Sequence, residues 1–459
     1  MNEGELKVSA AEAYASALVL GLGDSGMDAA RLLRREGAEV TVMDRGRSDA
    51  LVAAAATLEA EGIRVMLGQD ALPDAAFSVC IASPGFPAES PVLRALRARS
   101  ILVLPEFELG WSRLRSRVVA VTGSNGKSTL VKLCAEALQA AGFRAALGGN
   151  CLPTACRLAL EQDECPLDWV VLELSSFQLE QAVRFRPAVG VLLNLYPNHL
   201  DRHPDLHAYR AAKARLFANM RTPDRAMVWE PEMERIRALT ACVPEWISFG
   251  LSETADYRYV DGCVTLRKPP NPGHGPMSVR GTMFDNEILG LAAAAARAVM
   301  DACGADADAL QNTMRNFKPL PHRMREIATL RGIRFVDDSK ATNIAALAAA
   351  LKMTPGRVRL IAGGLDKHES FDSIHSLFAG KVSAAYLIGK AAPLLAAAWR
   401  DATVCSLCGA LEEALGRAWA EAVPGDTVLL APGCASFDQF RNFGERGDRF
   451  AALVQSLTS

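Results

Sequence analysis

The sequence predicts an α/β protein in three domains, each built on a doubly wound, largely parallel sheet. Apolar, β-branched runs of strand length alternate with runs of helical length along nearly all of the 459 residues. Two glycine-rich turns, GLGDSG at 21–26 and GSNGKS at 123–128, each follow an apolar run and open a helix. The chain is too long for one core, and its alternation divides into 1–115, 116–320 and 321–459. The proline-stiffened KPLPHR at 318–323 marks the second division.

In the first part, ALVLGLGDSGMDAARLLRREGAEVTVMDR at 17–45 reads as strand, turn, helix and strand. Gly21, Gly23 and Gly26 form GxGxxG, and Asp44 follows about 20 residues on, the spacing of a Rossmann-like dinucleotide site. Alone, the motif favours NAD and an oxidoreductase. A nucleotide-sugar diphosphate suits the same turn, because helix N-terminal N–H groups hold any diphosphate. A helix at 51–61, strands at 63–67 and 77–82, a helix at 91–99 and a strand at 101–104 follow. Ser83 falls at the end of one of these strands, where an open α/β sheet places its ligand.

The second part opens with RVVAVTGSNGKSTL at 117–130, a strand, a phosphate-cradling P-loop and a helix. Gly123 and Gly126 let the backbone approach phosphate oxygens, Lys127 reaches the terminal phosphates, and Ser128 or Thr129 offers magnesium a hydroxyl. Val121 stands where GxxxxGK has its first glycine. After the turn Gly148-Gly149-Asn150, the buried-type strand DWVVLEL carries Glu173 at its end. A carboxylate there needs a cation or a partner, and magnesium suits a phosphate loop. The next strand runs into NLYPNHLDRHPDLHAYRAAKARLF, with Asn198, His199 and Asp201 on the loop and Lys213 in a helix from about Leu206. His203 and His207 read as surface or capping residues. Short strands fill 224–281, interrupted by a Pro/Gly-rich loop tip at 268–276. A helix follows at 285–301, with Asn286 at its start as a nucleotide contact.

The third part resumes the alternation, with strands at 334–336, 357–362, 384–388 and 427–430. Polar clusters fall where strands end: DDSKATN at 337–343, GGLDK at 363–367 and PGCASFDQF at 432–440.

Half of the residues are apolar, and a net charge of -2 offers no general field for nucleic acid or an anionic membrane. No apolar run approaches the ~18 residues of a membrane span, and MNEGELKVSAAE lacks a secretion pattern. A cytoplasmic protein is expected, without nucleic acid or membrane insertion. Its eleven cysteines read as reduced, mostly buried thiols, and the lone CxxC of Cys405 and Cys408 is a poor metal site.

With TGSNGKST, GGN, ELSSFQLE, NHLDRH, YRAAKARLF, PHR, DDSKATN, GGLDK and ASFDQFxxFxxRG in that order, the chain resembles the Mur ligases over nearly its whole length. DDSKATN and ASFDQFxxFxxRG point to the glutamate-adding branch. The resemblance implies a first domain that holds UDP through Ser25, Asp44 and Ser83, a central ATPase and a third domain that brings the amino acid. It implies ATP at Gly123, Asn125, Gly126, Lys127, Ser128, Thr129, Asn286, Arg323 and Asp338. Two magnesium ions would be held by Ser128, Glu173, His199 and Lys213, the lysine being carbamylated. Lys127, His199 and Lys213 then carry the catalysis.

Asn150 would touch the sugar-phosphate of UDP-N-acetylmuramoyl-L-alanine, and Lys340, Thr342, Lys367, Ser436 and Phe443 the glutamate. An acyl phosphate is the expected intermediate, and a monomer the default state. Three departures from the family pattern stand out: DNEIL at 285–289 for the usual HNxxN, Leu365 before the GGLDK lysine, and GGNCL for GGNIG. Competing readings are an L-glutamate-adding variant, a folate polyglutamate ligase, an NAD-dependent oxidoreductase and an inactive relative.

Overall fold

The structure, a computed structural model, describes residues 13–457 except 70, 87, 88, 200, 201, 268–274 and 368. Most of the expected loop tip at 268–276, and Asp201, lie outside the described residues. The strands form three sheets, as the alternation predicts.

The first sheet comprises β1 (Ser16–Leu20), β2 (Glu39–Asp44), β3 (Arg64–Leu67), β4 (Val79–Ala82) and β5 (Leu102–Pro105). Its order is β3-β2-β1-β4-β5, all parallel. The order reverses beside β1, and the carboxyl ends of β1, β2 and β4 carry GLGDSG, Asp44 and Ser83. Such a reversal opens the crevice in which open sheets bind nucleotides.

The second sheet runs from β6 (Arg117–Thr122) through β7 (Ala145–Gly149), β8 (Trp169–Glu173), β9 (Val189–Leu192), β10 (Arg221–Trp229), β11 (Val243–Gly250), β12 (Tyr257–Val260) and β13 (Cys263–Leu266) to β14 (Met277–Ser278). In the order β14-β13-β12-β11-β10-β9-β6-β8-β7, β6 lies between β8 and β9. The ends of those three strands therefore surround the phosphate loop.

The third sheet holds β15 (Arg325–Leu330), β16 (Ile333–Asp337), β17 (Val358–Gly363), β18 (Val382–Ile388), β19 (Val404–Gly409) and β20 (Thr427–Leu430), in the order β15-β16-β20-β17-β18-β19. It is parallel except for β15, which forms a hairpin with β16 through Arg331 and Gly332 at φ 50° and 75°. The sequence reading lacks β15 and β19. β15 is half polar and adjoins the proline segment, while edge strand β19 leaves Val404 and Leu407 exposed, so neither shows a continuous apolar run.

The chain clusters into two compact units. One holds the first two sheets, and the other holds the third sheet with segments 195–209 and 280–290. Within the first unit, helix Glu106–Arg113 packs so closely on helix Ala155–Glu161 that a Cβ on Gly110 would stand 2.3 Å from the Ala155 carbonyl carbon. Buried carboxylates tie this contact and its surroundings together. Glu106 accepts the Cys156 N–H at 2.6 Å, Asp28 accepts the Thr154 hydroxyl at 2.8 Å, and Glu108 accepts the Val183 and Arg184 N–H groups. Burial pushes the Glu106 carboxyl up to about 7.

Candidate active site

β6 is buried along Val118–Thr122 and delivers the chain into a turn with Gly123 at φ 153° and Gly126 at φ 79°. Gly126 begins helix Lys127–Ala140 from the left-handed region, which glycine enters at little cost. The helix N–H groups and the Lys127 ammonium are thereby gathered at one turn. Lys127 Nζ donates to the carbonyls of Gly123 at 2.9 Å and Ser124 at 3.0 Å, which holds the ammonium on the turn.

Asn194 holds the loop. Its Oδ1 accepts the N–H groups of Ser124 at 3.1 Å and Asn125 at 2.9 Å, while its Nδ2 donates to the Asn125 carbonyl at 3.0 Å. The sequence reading missed this residue. The available signal was an amide directly after a buried apolar strand, where an unpaired polar group is costly.

Glu173 ends β8 in register with Val121 of β6 and Gly149 of β7, which places its buried carboxylate beside the phosphate loop. Asn150 Nδ2 donates to Glu173 Oε1 at 2.9 Å, and the Asn150 N–H to the Glu173 carbonyl at 2.8 Å. A Cβ on Gly149, at φ 101°, would lie 2.4 Å from that carbonyl oxygen. The GGN turn thus positions the carboxylate.

Lys213 lies in helix Leu206–Ala214 and is 1% exposed. Its Nζ donates to Thr122 Oγ1 at 3.2 Å and to the Gly123 carbonyl at 2.9 Å. Burial first, then the Lys127 charge, hold its amine well below the usual lysine range, and Glu173 opposes them.

His199 belongs to the segment 195–209 of the second unit and adopts φ 57°. Against the expectation of a surface or capping residue, His203 is buried, its ring 5.1 Å from that of Tyr209. The loop turns its side chain inward, which its neighbouring Pro and Asp residues do not reveal. His207 is exposed. Asn286 caps helix Glu287–Cys303: its Oδ1 accepts the Ile288 and Leu289 N–H groups at 3.1 and 3.0 Å.

In the third sheet the expected residues gather at the carboxyl ends of β16, β17 and β20. Asp338 is buried, which raises its carboxyl to about 7 against the opposing charge of Arg323 and the Met324 N–H. Lys340 Nζ lies 3.6 Å from the centroid of the Phe443 ring, a cation–π contact. Leu365 and Ala435 exchange backbone hydrogen bonds of 2.8 and 3.0 Å, tying the loop of Lys367 to that of Ser436. Thr342 follows β16, its N–H on the Lys340 carbonyl at 2.8 Å. The CxxC thiols face opposite layers, Cys405 against the core under Leu395 and Trp399 and Cys408 in the core of Leu411 and Phe450, so they cannot converge on one ion. All eleven cysteines are free, and of them Cys165 alone is exposed.

In the first sheet, Asp44 Oδ2 accepts the Leu22 N–H at 2.8 Å and Oδ1 the Gly46 N–H at 2.7 Å. Gly21, at φ 100°, lets the turn pass Ser83, whose Cβ would be 2.9 Å from an added methyl. Ser25 lies in the first turn of helix Asp24–Arg35.

Three family models match the chain: the Mur ligase MurD-like N-terminal domain at 15–104, the Mur ligase middle domain at 121–266, and the Mur ligase glutamate ligase domain at 322–434. The chain belongs to the Mur ligase family. Among curated relatives it is 37% identical over 448 residues to the UDP-N-acetylmuramoylalanine--D-glutamate ligase of Acidobacterium capsulatum, covering 95% of each chain. It is 38% identical to the ligase of the same name from Anaeromyxobacter dehalogenans, covering 95% of this chain and 96% of that one. Among solved structures, the MurF ligase of Thermotoga maritima in complex with ADP shares the fold at a TM-score of 0.57 and 17% identity, over 96% of this chain and 95% of the other. The GLGDSG turn therefore belongs to a Mur ligase N-terminal domain and not to an oxidoreductase. No helix among the described residues is long and apolar enough to cross a membrane.

Proposed function

We propose that the chain is an ATP-dependent amide ligase that adds D-glutamate to UDP-N-acetylmuramoyl-L-alanine in cytoplasmic peptidoglycan precursor synthesis. The observation that supports the chemistry best is the cluster of Lys127, Glu173 and buried Lys213 around one phosphate loop. The relatives of that name, matched over 95% of the chain, support the substrate. In this reading residues 1–115 take UDP through Ser25, Asp44 and Ser83. Residues 116–320 take ATP, and residues 321–459 take glutamate through Lys340, Thr342, Lys367, Ser436 and Phe443. Arg323, Asp338 and Asn286 reach the nucleotide.

The substrate carboxylate attacks the γ-phosphorus of ATP, the bond to the bridging oxygen breaks, and ADP leaves. The glutamate amine then attacks the acyl phosphate, losing a proton as phosphate departs. Lys127 and the loop N–H groups stabilise the negative charge of the transferring phosphoryl group. Glu173 and Ser128 are hard oxygen donors beside the phosphate site and fit magnesium. Among the described residues no group of three or more His, Cys, Asp and Glu that could hold a metal ion is found. Magnesium, when bound, neutralises phosphate charge.

Burial favours the uncharged amine of Lys213, the form that adds carbon dioxide. An N–C bond forms as one C–O π bond of carbon dioxide opens, a proton leaves the nitrogen, and the amine becomes a carbamate anion able to join Glu173. The family resemblance gives His199 a magnesium role as well.

Phosphate release from ATP, magnesium and UDP-N-acetylmuramoyl-L-alanine, compared with D-glutamate, L-glutamate and no amino acid, tests the proposal. Release that depends on D-glutamate is expected. Release with L-glutamate alone overturns the stereochemical assignment, and release with neither overturns the substrate.

A further inference from the structure

Arg446, the arginine of the FxxRG segment, is 1% exposed and comes from helix Phe443–Ser456. Its Nε donates to Ser339 Oγ at 3.0 Å and its Nη2 to the Ser339 carbonyl at 2.9 Å. Nη1 reaches the Gly363 carbonyl at 3.4 Å, and both Nη atoms reach the Cys434 carbonyl at 3.3 Å. None of these bonds ends on a carboxylate. A buried guanidinium without a bidentate acid is expensive to desolvate, and burial lowers its pKa to about 10 despite the nearby charges of Asp337 and Asp438.

The three accepting residues lie just past the ends of β16 and β20 and at the end of β17, one for each loop that carries the expected glutamate contacts. The loops are close-packed beside it: a Cβ on Gly364 would meet the Ala435 carbonyl oxygen at 2.2 Å and approach Arg446 Nη1 to 3.2 Å. Ser339 Oγ in turn donates to the Phe443 carbonyl at 2.8 Å, closing the circuit at the start of the helix that bears Arg446.

We propose that Arg446 is a positioning residue for the amino-acid site, one buried guanidinium that sets the spacing of the Ser339, Gly363 and Cys434 loops and hence of Lys340, Lys367 and Ser436. The inference rests on the ligase reading for its substrate. It requires no contact between Arg446 and glutamate. A lysine at 446 can satisfy one or two of the three loops and not all of them, because an ammonium lacks the planar fork.

The test compares full-length Arg446→Lys, Arg446→Met and Ser339→Ala by steady-state kinetics and by hydrogen–deuterium exchange. Arg446→Met should raise the glutamate KM by roughly tenfold or more, Arg446→Lys by less and Ser339→Ala by about threefold, with the KM for the UDP substrate within twofold of the parent. Exchange should rise together in 338–343, 363–366 and 434–436. A fall in melting temperature with an unchanged glutamate KM in all three variants would make Arg446 merely structural and overturn the proposal. Exchange confined to one loop would also overturn it. If the parent shows no glutamate-dependent turnover, the ligase reading fails, while exchange still decides whether Arg446 sets the three loops.

Discussion

Asn194→Ala isolates the contribution of one amide to the phosphate loop. The substitution removes three hydrogen bonds, two accepted from the Ser124 and Asn125 N–H groups and one donated to the Asn125 carbonyl. The Ser124 N–H keeps a second acceptor, the Asn194 backbone carbonyl at 3.1 Å, which survives the change. The loss therefore falls mainly on Asn125. Two net hydrogen bonds of about 1 kcal/mol each give roughly 2 kcal/mol of lost loop order. Because 1.4 kcal/mol is tenfold, the ATP KM should rise about 30-fold. Phosphate release measured against ATP concentration reads this directly. The KM for the UDP substrate should stay within twofold, since the amide touches only the phosphate loop. An ATP KM within twofold of the parent would refute the claim that Asn194 orders the loop for phosphate.

Lys213→Ala should lose nearly all phosphate release and regain part of it with added short-chain carboxylic acids, and a fully active variant would remove the carbamate from the mechanism. Glu173→Ala should lower magnesium-dependent turnover by orders of magnitude while leaving UDP-substrate affinity, read by calorimetry, intact; lost affinity would mean that the domain roles are exchanged. Glu106→Gln should flatten the pH dependence of stability. A carboxyl raised from 4.5 to about 7 on folding stabilises the fold below pH 4.5 and loses that contribution as pH rises through 7. The parent should thus lose about 3 kcal/mol that the variant keeps, at about 1.4 kcal/mol per pH unit. Urea titrations at pH 4.5, 6 and 8 read the difference, and parallel profiles would show that Glu106 does not titrate there.

Much of the architecture is local and so legible in the chain. The run Arg117–Thr122 with Gly123 and Gly126 can form only a strand that turns sharply, and helix Lys127–Ala140 follows from its own composition. The same holds for GLGDSG and for the strand that ends in Glu173, where hydrophobic period and glycine placement suffice. Strands β15 and β19 escaped this logic because their stability comes from a neighbour. One is folded back by a two-residue turn, and the other lies at an edge with one flank open.

Sequence by itself determined the chemical kinds at each strand end, because the residues of the glycine-rich turns and of the polar clusters are identified by type and order. Tertiary structure alone decided how they are held. Asn150 turned out to grip Glu173, Asn194 to order the phosphate loop from 69 residues away, and Arg446 to bind Ser339 across 107 residues. Tertiary packing also turned His203 inward and set Cys405 and Cys408 against opposite layers. Such pairings depend on sheet order and register, which bring distant strand ends within hydrogen-bond reach. A buried amide or guanidinium then takes whatever partner that arrangement supplies, because leaving it unpaired costs more than a local pattern can reveal.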